Sequence, residues 1–228
     1  MDFALIWQSL PLLLKGALLS MQLVIVSGLF GLAIALPLAL GRLSSNPLIR
    51  AFPYAYIFFF RGTPLLVQLF LIYYGLGQFE AVRESFLWPV LRQPYWCAVL
   101  TMGLHTGGYI AEILRGAIQA VPIGEIEATR SLGMSRATAF RRIVLPRAAR
   151  IGLPAYGNEV ILMLKGSALA STITLLELTG MARTIIAKTY TPVEIFFAAG
   201  AIYLAISFVM VQLFRLLERR WNRHLVRS

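Results

Sequence analysis

Residues 16–41 read GALLSMQLVIVSGLFGLAIALPLALG, an uncharged stretch bounded by Lys15 and Arg42. A helix needs about 20 consecutive apolar residues to cross the hydrocarbon core of a bilayer. This stretch is long enough and carries no charge. It therefore predicts a membrane-spanning helix and, with it, an all-α integral membrane protein.

The composition of the whole chain points to the same class. Hydrophobic residues make up 58% of the 228 residues and charged residues only 14%, whereas soluble domains are about half apolar and about a quarter charged. The single cysteine, Cys97, lies in an apolar run, so neither a disulfide framework nor a thiol metal cluster is expected. We treat residues 1–228 as one transmembrane domain.

Four further stretches have the length or the apolar character of a span. The five predicted spans cover residues 16–41, 60–79, 93–114, 151–169 and 195–214. The second span is preceded by a further apolar stretch. Pro53 and Pro64 offer breaks in this region because proline interrupts helical hydrogen bonding. The fourth is short and contains Glu159.

Two features suggest how the spans pack. Gly103 and Gly107 lie four residues apart in the third span, a spacing that favours close approach of helices. Residues 171–188 are too polar to cross the membrane, but their apolar side chains share one helical face. This segment is expected to lie at the surface or to pack on the bundle.

The basic residues predict the orientation, because Lys and Arg favour cytoplasmic loops. With the N-terminus outside and the C-terminus in the cytoplasm, the cytoplasmic segments hold Arg42, Arg50, Arg115, Arg130, Arg136, Arg141, Arg142, Arg147, Arg150, Arg215, Arg219, Arg220, Arg223 and Arg227. The outer segments hold Lys15, Arg83, Arg92, Lys165, Arg183 and Lys188. Topology thus accounts for the net charge of +11, and no nucleic-acid partner is expected.

The longest cytoplasmic loop, residues 121–146, reads VPIGEIEATRSLGMSRATAFRRIVLP. It predicts two short helices at the membrane surface. Pro122 suits the start of the first and Gly133 the left-handed residue that ends it. Ser135 suits the N-cap of the second helix, and Pro146 is expected to end it.

The second helix of this loop is basic and carries an apolar stripe. Phe140, Ile143 and Val144 recur at helical spacing, with the arginines elsewhere. An amphipathic helix of this kind suits a groove on a partner protein.

These residues resemble the EAA loop of ABC importer permeases, whose pattern is E-A-A, three residues, Gly, nine residues and I-x-L-P. The chain has Glu127-Ala128-Thr129, Gly133 and Ile143-Val144-Leu145-Pro146 at those spacings, with Thr129 in place of the second Ala. The resemblance implies coupling helices that dock into a cleft of a cytoplasmic ATPase. The residues implied in coupling are Glu127, Ala128, Gly133, Phe140, Ile143, Leu145 and Pro146.

Residues 60–65, 111–116 and 155–164 are similar to the polar amino acid branch of these permeases. Within it the chain looks like the M-type permeases for histidine, lysine, arginine and ornithine and those for octopine and nopaline. The resemblance implies a multi-pass protein of the bacterial inner membrane that imports basic amino acids or opines. It also implies three partners: ATP-binding subunits, a homologous sister permease and a periplasmic substrate-binding protein. No G-x-x-x-x-G-K-[ST] phosphate loop occurs in the chain, so ATP is expected to bind the partner ATPases.

Ionisable residues inside spans need an explanation, since each costs about 2.5–3.5 kcal/mol at the bilayer centre. Glu159, with its neighbour Asn158, and Glu112 are candidates for lining a path for cationic substrate. The alternative is that each carboxylate pairs with an arginine or caps a helix, as Arg115 allows for Glu112. Arg61 either contacts a passing carboxylate or fixes a helix end at lipid phosphate.

Other functional classes find little support. The sequence has no set of residues for nucleophilic or general acid–base catalysis, so an enzyme is not expected. His105 and His224 are far apart and lack metal-ligating companions; His105 is expected to be a hydrogen-bonded packing residue. An ion-coupled secondary transporter using Glu112 or Glu159 and a non-transporting scaffold protein remain alternatives.

Overall fold

The computed structural model describes residues 2–221, and no β-strand occurs within that range. Arg223, Arg227 and His224 lie outside the described residues. The α-helices are α1 (Phe3–Arg42), α2 (Pro47–Gly62), α3 (Leu65–Phe70), α4 (Glu80–Arg83), α5 (Trp88–Leu91), α6 (Pro94–Gln119), α7 (Ile123–Ser131), α8 (Arg136–Ala139), α9 (Leu145–Gly166), α10 (Leu178–Thr189) and α11 (Pro192–Trp221). Shorter π- and 3₁₀-helical segments are Leu71–Gly75, Leu76–Gln78, Phe140–Val144 and Ser167–Ile173.

Three helices, α1, α6 and α11, are long and apolar enough to cross a membrane alone. Two bent pairs qualify when each is taken as one span. The first is Pro47–Gly62 with Leu65–Gln78, bent by 104°, and the second is Arg136–Ile173 with Leu178–Thr189, bent by 48°. The structure therefore provides up to five spans among the described residues, and the prediction of an all-α membrane protein is confirmed.

The first helix extends well beyond the uncharged stretch 16–41 that predicted it. Asp2 begins α1 as its N-cap, where the carboxylate accepts a hydrogen bond from the Leu5 N–H over 3.1 Å. Pro11 and Pro37 lie inside α1 without ending it. At 1.5 Å per residue, the helix is about 60 Å long, twice the usual hydrocarbon thickness.

The break between α2 and α3 falls at Pro64, as the sequence predicted. Thr63 is extended (φ −117°, ψ 145°), the conformation favoured for a residue that precedes proline. The buried Gln68 side chain donates to the Phe60 and Thr63 carbonyls over 3.0 and 3.1 Å, so the break leaves these acceptors satisfied. Pro53, the other expected break, lies within α2 and interrupts nothing.

The largest packing surface joins α1 to α6, and glycines allow the approach. A Cβ on Gly31 would lie 3.0 Å from the Gly103 carbonyl oxygen and 3.2 Å from the Gly107 nitrogen. A Cβ on Gly103 would meet the Phe30 ring, and one on Gly107 would meet the Ile34 side chain. The glycine pair of the third span therefore serves helix packing, as its spacing suggested.

The predicted start and stop signals of the loop at residues 121–146 are largely confirmed. Pro122 is the N-cap residue of α7, and Gly133 adopts the left-handed conformation (φ 68°) after that helix. Ser135 caps α8, where its hydroxyl accepts a hydrogen bond from the Thr138 N–H over 3.3 Å.

The prediction that Pro146 ends the second loop helix is wrong. Helix α8 continues through the π-helical segment Phe140–Val144 directly into α9, and Pro146 lies in the first turn of α9. A proline lacks the N–H of a regular helical hydrogen bond. The wider π turn, in which the Leu145 N–H donates to the Phe140 carbonyl, precedes this point and keeps the helix continuous.

The polar segment 171–188 packs on the bundle through a buried carboxylate. Glu177 has no exposed surface and caps α10 by accepting a hydrogen bond from the Gly180 N–H over 2.8 Å. Its other oxygen accepts from the Ser20 hydroxyl of α1 over 3.1 Å and from the Tyr203 hydroxyl of α11 over 2.8 Å. The cap therefore ties three helices together.

The glycine contact generates a stability prediction. Gly31→Ala should destabilise the protein by about 1–3 kcal/mol, because the added methyl group overpacks the contact between α1 and α6. A methyl group on Gly200 of α11 would meet nothing within 4 Å, so Gly200→Ala should be neutral or stabilising by about 0.5–1 kcal/mol. Thermal unfolding of the detergent-solubilised complex measures both. Equal unfolding temperatures for the two variants would contradict the packing role.

Candidate functional site

The first candidate site is the surface formed by α7 and the turn that follows it. Glu127 and Ala128 are exposed on this helix. The apolar side chains of Ile123 and Leu132 are 72% and 79% exposed at its two ends. Sequence analysis missed both, because two residues at opposite ends of a short helix form no periodic stripe. This surface therefore exposes two apolar side chains and a carboxylate.

The predicted apolar stripe of the second loop helix lies differently from the expectation. Val144 is buried with Ala117, Val121 and Ala148, and Phe140 packs against the same cluster. The stripe therefore belongs in part to the core of this chain and holds α8 and α9 against α6. Ile143 and Leu145 are half-buried and Pro146 is exposed.

An ion pair joins α7 to the start of α9. Arg147 and Glu125 form an ion pair across 3.2 Å. Thr129 is buried, and its hydroxyl donates to the Ile126 carbonyl over 2.7 Å. The threonine that departs from the EAA pattern thus fills an inward position. The Arg147–Glu125 pair therefore links α7 directly to α9.

The second candidate site is a transmembrane cavity of about 130 Å³ between α3, α6 and α9. Its lining residues are Leu65, Met102, His105, Tyr109, Glu159, Leu162 and Met163. Glu159 is only 7% exposed, and its Oε1 accepts a hydrogen bond from the Thr106 hydroxyl over 2.8 Å. Within residues 2–221, no hydrogen-bond donor lies on its Oε2.

The break at Pro64 positions the other polar group of this cavity. Gln68, which satisfies the carbonyls of the broken helix, also places its Oε1 3.0 Å from His105 Nδ1. His105 is therefore a hydrogen-bonded packing residue, as expected from the sequence, and it faces the cavity as well. The broken second span and the cavity wall are parts of one polar arrangement.

A larger open cavity of about 360 Å³ also has Tyr109 in its wall. It is lined by Arg42, Tyr54, Ile57, Phe58, Arg61, Gly62, Tyr109 and Glu112. Glu112 pairs with Arg115 across 2.7 Å and with Arg42 across 3.4 Å. The pairing with Arg115 agrees with the alternative that the sequence raised for this residue.

The four path candidates thus do not share one cavity. Glu159 lines the smaller cavity, whereas Arg61 and Glu112 line the larger one. Asn158 is exposed and lines neither. Sequence analysis missed Thr106 and Tyr109, because an uncharged polar residue in a span does not carry the free-energy cost that marks an ionisable residue as a candidate.

Comparison with known proteins identifies the family. The model of the family described as "Binding-protein-dependent transport system inner membrane component" matches residues 29–223. The nopaline transport system permease protein NocM of Agrobacterium fabrum is 50% identical over 226 residues, which cover 99% of this chain and 94% of that protein. The histidine/lysine/arginine/ornithine transport system permease protein HisM of Escherichia coli is 46% identical over 210 residues, covering 92% and 88%.

A solved structure agrees with these relatives. The crystal structure of an amino acid ABC transporter with histidines contains a chain that matches with a TM-score of 0.85 and 37% identity, covering 96% of this chain and 99% of that one. Sequence and fold thus agree along nearly the whole length. The chain belongs to the family of binding-protein-dependent transport system inner membrane components.

Proposed function

We propose that this chain forms half of a path that carries basic amino acids or opines inward across the inner membrane. Its relatives are permeases for nopaline and for histidine, lysine, arginine and ornithine. Lysine and arginine are cationic at neutral pH. A path for them needs an anionic group in an otherwise apolar membrane region.

The observation that carries this proposal is the buried Glu159 carboxylate. Its Oε1 is fixed by Thr106, and the carboxylate borders a cavity with otherwise mostly apolar walls. A carboxylate in such surroundings attracts an ammonium or guanidinium group more strongly than it would in water. Ionisable residues within membrane spans commonly mark substrate pathways.

Motion is proposed to come from separate ATP-binding subunits, which bind the ATP themselves. With the N-terminus outside, the α7 surface and the exposed arginines near it face the cytoplasm, as the positive-inside rule favours. We assign docking on the ATPase to Glu127, Ala128, Gly133 and the exposed Leu132. Phe140, Ile143, Leu145 and Pro146 transmit the movement, because they lie where α8 continues into α9.

Permeases of this family work with a second permease and a substrate-binding protein, and we propose that the second permease here is a homologue.

The two alternatives to this function, an ion-coupled secondary transporter and a scaffold protein, make different predictions. A secondary transporter would move solute without ATPase subunits, and a scaffold protein would move none. Family membership favours neither, since the family is one of binding-protein-dependent transport.

Replacing Glu159 by Gln tests the path. The amide can still accept from Thr106 but carries no charge, so binding of arginine should weaken while binding of its neutral analogue citrulline should not. A loss of 1.4 kcal/mol corresponds to about a tenfold rise in the KM for arginine. Uptake by proteoliposomes containing the intact complex measures both cargoes.

Asn158→Ala is the matched control for this prediction, because it changes the adjacent residue outside both cavities. It should leave the ratio of arginine to citrulline uptake at the parent value. An equal loss of both cargoes in Glu159→Gln would return Glu159 to a purely structural role.

Replacing Gly133 tests the coupling surface. Gly133→Val places a β-branched residue in the left-handed conformation, which costs about 1–2 kcal/mol and distorts the turn beside Leu132. A change of this size alters an equilibrium about 5–30-fold. We expect uptake per ATP hydrolysed to fall while membrane insertion is unchanged. Gly133→Asn is the control, because asparagine tolerates this conformation; unchanged coupling in Gly133→Val would refute the assignment.

A further inference from the structure

Tyr109 is the side chain that the two cavities share. It lines the smaller cavity beside Glu159 and the larger cavity that holds Arg42 and Glu112. Both cavities lie along α6, and Tyr109 stands between Met102 and Glu112 on that helix. A solute moving from Glu159 towards Glu112 would therefore meet the side chain of Tyr109.

Two side chains lie against the Tyr109 ring. The guanidinium carbon of Arg61 lies 5.0 Å from the ring centroid, within the range of a cation–π interaction. The His105 ring lies 5.1 Å away, centroid to centroid, and Gln68 holds His105 in turn. The ring is therefore held from α2 and from its own helix.

Arg61 can also leave the Tyr109 ring for another partner. Arg61 is exposed and lines the larger cavity, and it forms no ion pair within residues 2–221. Bidentate hydrogen bonds from arginine to a carboxylate are among the strongest that side chains make. The carboxylate of an amino acid that reaches Arg61 would compete with the ring of Tyr109 for the guanidinium.

We propose that Tyr109 is the inner gate of the path and that the guanidinium of Arg61 holds this gate closed. The ring separates the Glu159 cavity from the larger cavity, which we call the vestibule and which faces the cytoplasm in the proposed orientation. A substrate carboxylate releases the ring by drawing Arg61 away. The inference rests on the proposed direction of transport. It adds that the carboxylate of the cargo, and not only its cationic group, is needed for release to the cytoplasm.

Access to the smaller cavity tests the gate directly. In a Cys97→Ala background, which removes the only cysteine of the chain, Met163→Cys places a thiol in the wall of the Glu159 cavity. Inside-out vesicles containing the intact complex are treated with a membrane-impermeant, cationic methanethiosulfonate, and labelling of this chain is followed by mass. Tyr109→Ala should raise the labelling rate about tenfold or more, because reactivity of a closed site follows the population of its open form.

Three controls make the result specific. Tyr109→Phe keeps the ring and should label at the parent rate. Tyr54→Ala removes another tyrosine of the vestibule, one that lies over Arg42 at 5.0 Å but does not reach the smaller cavity, and it should also label at the parent rate. Tyr109→Leu replaces Tyr109→Ala if the alanine variant does not assemble with its partners. The gate would be overturned if Tyr109→Ala, or Tyr109→Leu in its place, labelled at the parent rate. Accelerated labelling of Tyr109→Phe or Tyr54→Ala would overturn it as well.

The role of Arg61 is tested separately in the same vesicles. Arginine should accelerate labelling of Met163→Cys, whereas agmatine, which is arginine without the carboxylate, should not. Equal acceleration by both compounds, or acceleration by neither, would remove Arg61 from the mechanism. Because labelling needs no net uptake, the gate can fail while Glu159→Gln still changes cargo selectivity, and the reverse outcome is equally visible.

Discussion

The close approach of α1 and α6 is the contact on which the rest of the molecule depends. Gly31 lies against the backbone of α6, where an added methyl group would come within 3.0 Å of a carbonyl oxygen. This approach fixes the position of α6, and α6 carries Thr106, Tyr109 and Glu112 on consecutive turns. The hydroxyl that holds Glu159, the ring between the two cavities and the carboxylate of the vestibule are therefore placed together by one helix. A shift of α6 would move all three.

The bilayer imposes the second constraint, because a polar group in hydrocarbon needs a partner within the protein. Gln68 satisfies the helix broken at Pro64, and Glu177 caps α10 while bonding α1 and α11. The irregular backbone that shapes the cavities is stable because these side chains complete it. The continuous helix from Arg136 through Glu159 spans about 35 Å at 1.5 Å per residue. It connects the loop beside α7 to the proposed path without a break in the helix.

The sequence predicted the class of fold and the ends of the loop helices, because charge-free stretches, Gly133 and Ser135 each impose a local physical requirement. It failed at Pro146, since a proline normally ends a helix and the compensating π turn depends on tertiary packing. It also assigned Val144 to a partner, because an apolar stripe looks the same whether its own core or another protein covers it. Thr106 and Tyr109 were missed for a related reason: their roles depend on which helices meet, and spacing along one chain does not contain that information.

Reconstituted transport tests the central claim most directly. The complex is purified with its ATPase subunits, sister permease and binding protein, and its uptake of radiolabelled arginine is compared with that of the isolated chain in proteoliposomes loaded with ATP. The account predicts uptake by the complex that stops when ATP is replaced by a non-hydrolysable analogue and persists when an uncoupler collapses the proton gradient. Vigorous uptake by the isolated chain, abolished by the uncoupler, would contradict it.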